Sequence, residues 1–137
     1  MGFLTYYSPT TKLTDDIMLN SNDIDTDKDY FILDKINIEN TNDSGIEKIN
    51  VHVTLNIYSS YEERLERNNL LMSKNFILEN LIDKEFSDNL WNKCYIKIKG
   101  LILEQNTNDL KEILELNDND LLPNQYQYLL EIEDHFN

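Results

Sequence analysis

Catalysis needs several positioned groups with tuned proton affinities, so the residues that could supply them come first. The 137-residue chain has two histidines, His52 and His135, and one cysteine, Cys94. Cys94 with His52 is the one pairing that could make a nucleophile and its base. Yet Cys94 falls on the apolar stripe of an amphipathic segment, where a free thiol behaves as a small hydrophobe. His52 falls on the polar parity of a strand. With one Cys and two distant His, no zinc or iron–sulfur site can be assembled within the chain. Three glycines cannot build a phosphate-cradling loop, a dinucleotide fingerprint or a nucleophile elbow, and none of these motifs occurs. Asp23, Asp25 and Asp27 resemble the opening of a calcium loop, with Asp34 at its twelfth position. Lys28 stands at the sixth, where that loop needs Gly for its turn, so a solvated acidic turn is expected instead. Asp118-Asn119-Asp120 is a weaker candidate still. These residues point away from an enzyme, and no cofactor or metal is expected.

What remains is contact with other proteins. The net charge is −14, and it is uneven along the chain. Residues 1–58 carry 10 acids against 4 bases, residues 59–100 carry 7 against 7, and residues 101–137 carry 9 against 1. Such a field repels nucleic acid and anionic membranes, so neither is an expected partner. It fits a solvated acidic surface, or one that meets a basic protein. The aromatics form a second signal, with eight Tyr, five Phe and one Trp and no evident ligand pocket to line. Tyr and Trp bury area at low entropic cost while keeping a polar handle, which suits them to interfaces. The candidate partner-binding residues are therefore Phe3, Tyr6, Tyr7, Tyr61, Tyr126, Tyr128 and Phe136, with the acids Glu112, Glu115, Asp118 and Asp120.

The elements that must position them follow from periodicity. Residues 1–29 read as an extended N-terminal arm and acidic loop, and residues 30–137 as a single α+β domain whose segment 101–137 is acidic. Tyr30 to Ile38 is strand-like, with Ile32, Ile36 and Ile38 on one parity and Phe31 and Leu33 on the other. Asn40 to Gly45 signals a turn, so a hairpin follows. Ile49, Val51, Val53, Leu55 and Ile57 then alternate with polar residues, which means a strand with one buried face. Ser60 and Glu63 form a capping box for a short helix from Tyr61 to about Asn68. A strand containing Phe76, Ile77 and Leu78 runs to Asn80. Asp83 caps a helix carrying Phe86, Leu90, Cys94, Ile98 and Leu101, with Gly100 as its C′ residue. A strand over Tyr95–Lys99 is the competing reading. A further helix from about Asn108 to Leu116 is broken by Asn117–Asp120. Leu121–Phe136 reads either as a helix opened by Pro123 or as a strand alternating Tyr126, Tyr128, Leu130 and Ile132. The fold class is thus α+β, a small antiparallel sheet with two to four helices.

Composition bounds the setting. No apolar run approaches the roughly 20 residues of a membrane span, no signal-peptide pattern opens the chain, and a single cysteine fits a reducing compartment. Alanine is absent and Asn, Ile, Asp and Lys are abundant, the bias of a low-GC bacterium, its phage or a similar virus. The stretch from Val53 through Tyr58 and Glu62 to Leu70, then Phe76-Ile77-Leu78 and a helix bearing Trp91, resembles small tailed-phage structural proteins. In those a strand runs into a short charged helix and returns through another strand into a longer helix. They often have a Gly-Lys-Pro-like stretch after the short helix; Asn68-Asn69 stand there instead, and no functional residue is carried over. The resemblance covers about residues 49–100. It implies a virion structural or assembly protein (capsid accessory, head–tail connector or tail component), made in the host cytoplasm. Its partners would be copies of itself or neighbouring subunits. The alternative is a small acidic inhibitor, an immunity protein or an anti-defence mimic of nucleic-acid charge, that binds a basic host or toxin protein. An inhibitor should present Glu104, Asp109, Glu112, Glu115, Asp118 and Asp120, whereas a virion part should bury Tyr126, Leu129, Leu130 and Phe136 against a neighbour.

Overall fold

The computed structural model describes residues 2–16, 28–66, 70–79 and 89–135. Its centre is an antiparallel hairpin of β2 (Asp29–Asp43) and β3 (Ile46–Tyr58). The expected six-residue turn is tighter than that, because Asp43 pairs directly with Ile46. Ser44 and Gly45 alone make the reversal, at φ 56° and 81°. Two successive positive φ values give the turn whose twist matches that of the strands. The mixed parity of the first strand also has a cause. Leu33 pairs with Leu55 and Lys35 with Thr54, leaving Asp34 as a bulge. One extra residue exchanges the faces beyond it. Phe31, Leu33 and Ile36 therefore share the core face opposite Ile57, Leu55 and Val53.

The remaining strands are β1 (Gly2–Thr5), β4 (Leu70–Glu79) and β5 (Glu133–His135). They complete one sheet in the order β4-β3-β2-β1-β5, all pairs antiparallel. This corrects the expectation of an extended arm for residues 2–16; most of the acidic loop expected before residue 30 lies outside the described residues. Gly2–Thr5 lies inside the sheet, and helix α1 (Pro9–Asp16) follows it, with Pro9 at the first helical position where its missing N–H costs nothing. Phe3 is fully buried, stacked on Phe31 at 5.0 Å between ring centroids and edge-on to Tyr95 at 5.8 Å. The arm was unreadable because four residues are too few to display a period.

Ser60 caps helix α2 (Tyr61–Leu65) as expected, its hydroxyl accepting the Glu63 N–H at 3.1 Å. The second half of the chain departs further. Helix α3 runs unbroken from Leu90 to Ile113, so the two expected helices are one, Gly100 is mid-helix rather than C′, and Tyr95–Lys99 is not a strand. Asp83 and Phe86 lie outside the described residues. The buried positions Cys94, Ile98, Ile102, Asn106 and Leu110 recur every fourth residue. At 3.6 residues per turn that stripe swings by about 40° at each step. It begins on the sheet, with Cys94, Tyr95, Ile98 and Ile102 against Val51, Val53, Leu55 and Ile57. It ends on a second cluster, where Leu110 packs with Tyr6, Leu122 and Leu129. Asn106 lies between the two, its amide donating to the Tyr6 carbonyl at 3.2 Å.

α3 closes with a left-handed Glu115 at φ 57°. The Leu116 N–H reaches Lys111 O at 2.9 Å and the Glu115 N–H reaches Glu112 O at 3.2 Å, the paired bonds of a Schellman ending. Asn117–Asp120 then turn on themselves, Asn117 N–H donating to Asp120 Oδ2 at 2.9 Å. The alternating strand does not form in the last segment, and the helix that Pro123 opens is short and not α-helical. It is a 3₁₀ helix, Asn124–Leu130, followed by β5. Among the described residues no helix is long and apolar enough to cross a membrane.

Two glycines give opposite expectations. A Cβ on Gly2 would overlap the Tyr30 hydroxyl and sit 2.7 Å from the Phe31 carbonyl, so Gly2→Ala should lower stability by about 1–3 kcal/mol. A Cβ on Gly100 meets nothing within 4 Å, so Gly100→Ala should raise it by about 0.5–1 kcal/mol. Denaturant titration of both variants checks the pair.

Candidate functional site

The residues that could do chemistry are held apart. Cys94 is fully buried in the main core, and its thiol is pushed up in pKa by that burial. His52 pairs opposite Asn37 on the other face of the sheet, its Nε2 3.0 Å from Glu39 Oε2. The sheet lies between them. Among the described residues no cluster of His, Cys, Asp or Glu could hold a metal ion. Asp23, Asp25 and Asp27 lie outside the described residues, and Asp34 is the exposed bulge of β2.

The aromatic candidates divide by burial. Phe3 and Tyr6 are buried in the protein's own two cores, which corrects their assignment to a partner surface. Tyr126 and Tyr128 are half-buried against the second cluster, and Leu129 is fully buried there. Pro123 and the 3₁₀ helix turn these apolar side chains inward, a conformation whose period matches neither expected element. Tyr7 is exposed, its N–H bound to Asp29 Oδ2 at 2.8 Å. Tyr61 belongs to a group that periodicity did not reveal, because its members are far apart in sequence. Its ring centroid lies 5.2 Å from that of Tyr30 and 4.2 Å from that of His135. The buried Tyr30 hydroxyl and His135 Nδ1 have no hydrogen-bond partner among the described residues, and burial raises the Tyr30 pKa. Phe136 lies outside the described residues.

The acidic candidates sit differently. Glu104, Glu112, Glu115, Asp118 and Asp120 are all exposed and Asp109 is partly so, along the outer side of distal α3 and the turn after it. Two further surfaces reach outward. Residues 40–43 of β2 and 46–49 of β3 pair only with each other among the described residues, because β1 stops opposite Ile32 and β4 opposite Asn50. They form a two-stranded ribbon with Ile46 exposed at its tip. β4 is one of the sheet's two edge strands among the described residues, with Leu70, Leu71 and Ile77 exposed. Natural sheets usually protect such an edge with proline, outward charge or brevity. β4 spans ten residues without proline, and its one lysine, Lys74, lies across from Leu55 on the core face; its protections are a bulge at Leu71 near one end and the exposed Glu79 at the other.

One ionic group ties α3 to the far edge of the sheet. The Tyr95 hydroxyl lies 2.6 Å from Asp134 Oδ1 and 2.8 Å from the Gly2 carbonyl, and its single proton serves one of them at a time. Lys99 Nζ donates to the same Asp134 oxygen at 2.7 Å and lies 4.7 Å from the centre of the Tyr95 ring. The Lys99 ammonium first, then the Tyr95 hydroxyl, hold the Asp134 carboxyl below the usual carboxylate pKa. Burial, reinforced by Asp134, holds the Tyr95 phenol well above its own. A carboxyl whose pKa is lower in the folded state contributes stability above its unfolded pKa and loses that contribution as pH falls through the folded value. The difference in thermal midpoint between wild type and Asp134→Asn should therefore be widest near neutral pH and close below about pH 4.

No protein-family model, curated protein or solved structure matches the chain.

Proposed function

We propose that this protein works by protein–protein contact without catalysis, as a virion structural or assembly component of a tailed phage, in contact with copies of itself or neighbouring subunits. The observation that carries this reading is the outward-facing part of the sheet: a long β4 edge with exposed leucines and isoleucine, beside a ribbon that leaves its own core. A two-stranded ribbon is marginally stable alone in water, and an unpaired edge is a ready template for another strand. Both are surfaces on which a neighbour completes the hydrogen bonding. The resemblance of residues 49–100 to small phage structural proteins falls on the same strands.

The second reading is the small acidic inhibitor of a basic protein. It is favoured by the exposure of the acids of distal α3 and by Leu129 being buried within the protein's own core rather than left for a neighbour. Size-exclusion chromatography with light scattering, at low and high salt, separates the two. Apolar contacts persist in salt and exposed charge contacts weaken. An oligomer that survives high salt, and is dissociated by Ile77→Lys on β4, is expected for the assembly component. A monomer at every salt concentration would reject that reading in favour of the inhibitor.

A further inference from the structure

A groove of about 510 Å³ runs between distal α3 and the segment that returns beside it. Leu103, Thr107 and Lys111 form one wall, each four residues from the next and so on one face of the helix. Leu121, Leu122 and Leu130 supply the apolar part of the other wall, with Asp120 and Glu131 beside them. The shape is set by bonds already within the fold. Lys111 Nζ donates to the Asp118 carbonyl at 3.0 Å, and Gln127 Nε2 donates to the Leu122 carbonyl at 2.9 Å. Leu121 is 90 % exposed, the most exposed large apolar side chain among the described residues. The helix ending explains it: the turn over Asn117–Asp120 delivers Leu122 to the second cluster and leaves its neighbour facing out.

We infer that this groove receives a basic amphipathic segment of a different protein, its apolar side chains lying on Leu103, Leu121 and Leu130 and its Lys or Arg side chains meeting the surrounding carboxylates. Charge selects this occupant. Residues 101–137 hold 9 acids and one base, and that base, Lys111, lines the groove together with the carboxylates of Asp120 and Glu131. Glu131 meets Lys28 at 3.5 Å, whereas Glu112, Glu115, Asp118 and Asp120 are exposed. A second copy, at net charge −14, would bring like charge to this face and be repelled, while a cationic segment is drawn to it. An apolar strip flanked by charge is the form in which a groove reads an amphipathic helix. The inference rests on the reading of this protein as a protein-binding one, but not on its self-association, which the light-scattering experiment tests separately.

The test is fluorescence anisotropy with the full chain and a labelled synthetic helix of about four turns, leucines on one face and lysines on the other. Binding is expected near 0.15 M salt, weakening at higher salt as the screening length shortens. Leu121→Ser alone, and with Leu103→Ser, should weaken it by roughly tenfold or more, the loss of a buried leucine contact. A peptide of equal charge with serine for leucine should lose as much. Ile46→Ser, at the distant ribbon tip, should leave affinity unchanged, and unaltered melting curves establish that the variants fold. Equal binding of the serine peptide would mean a diffuse acidic surface and overturn the proposal, as would unchanged binding by the leucine variants or no binding at all.

Discussion

Alternation along β3 is the constraint on which the other elements depend. Val51, Val53, Leu55 and Ile57 all point one way and all are buried. Each would forfeit about 1.5–3 kcal/mol if left in water, so one face of the sheet has to be covered. α3 covers it with Cys94, Tyr95, Ile98 and Ile102. The bulge at Asp34 serves the same requirement, because without it Ile36 would face away from that core. β1 serves it too, placing Phe3 between Phe31 and Tyr95.

The same helix divides the molecule electrostatically. Its first half belongs to the charge-balanced stretch and covers the sheet. As its buried stripe rotates, the second half leaves the sheet and joins Tyr6, Leu122 and Leu129, and its carboxylates face outward. Strand β4 and the ribbon present Leu70, Leu71, Ile77 and Ile46, and distal α3 with the turn after it presents Glu112, Glu115, Asp118 and Asp120 beside exposed Ile113 and Leu121.

Where a segment was long and buried on one side, its sequence displayed it: β3 over its apolar run, the Ser60–Glu63 cap, and the stripe through Leu90, Cys94 and Ile98. Four features were hidden, each for a physical reason. β1 is too short to show a period and is specified by its partners on either side. The unity of α3 was masked by Gly100 and by Asn106-Thr107-Asn108, poor helix formers overridden by packing, since Asn106 is buried on Tyr6 O and Thr107 Oγ1 bonds back to Leu103 O at 2.7 Å. The 3₁₀ segment has a period close to neither template. Among the candidate contact residues, the exposure of the acids was legible because charge seldom goes inside unpaired. Phe3 and Tyr6 were misread because an aromatic near a chain terminus looks equally fit for its own core and a neighbour's.

The order of the strands also bears on how the protein is made. β1 lies between β2 and β5, and Gly2 is joined to His135 across more than a hundred residues of chain. The β2–β3 hairpin and β4 are local and can pair while synthesis continues, since closing a short loop costs little entropy. β1 emerges first, yet its second edge stays open until residues 133–135 leave the ribosome. The Tyr95 hydroxyl waits as long for Asp134. During that interval the nascent chain is a three- or four-stranded sheet with open edges on both sides, the state in which neighbouring chains on a polysome are most prone to join wrongly. The net negative charge of the finished molecule accumulates during the same interval, and mutual repulsion between nascent chains would keep those edges apart.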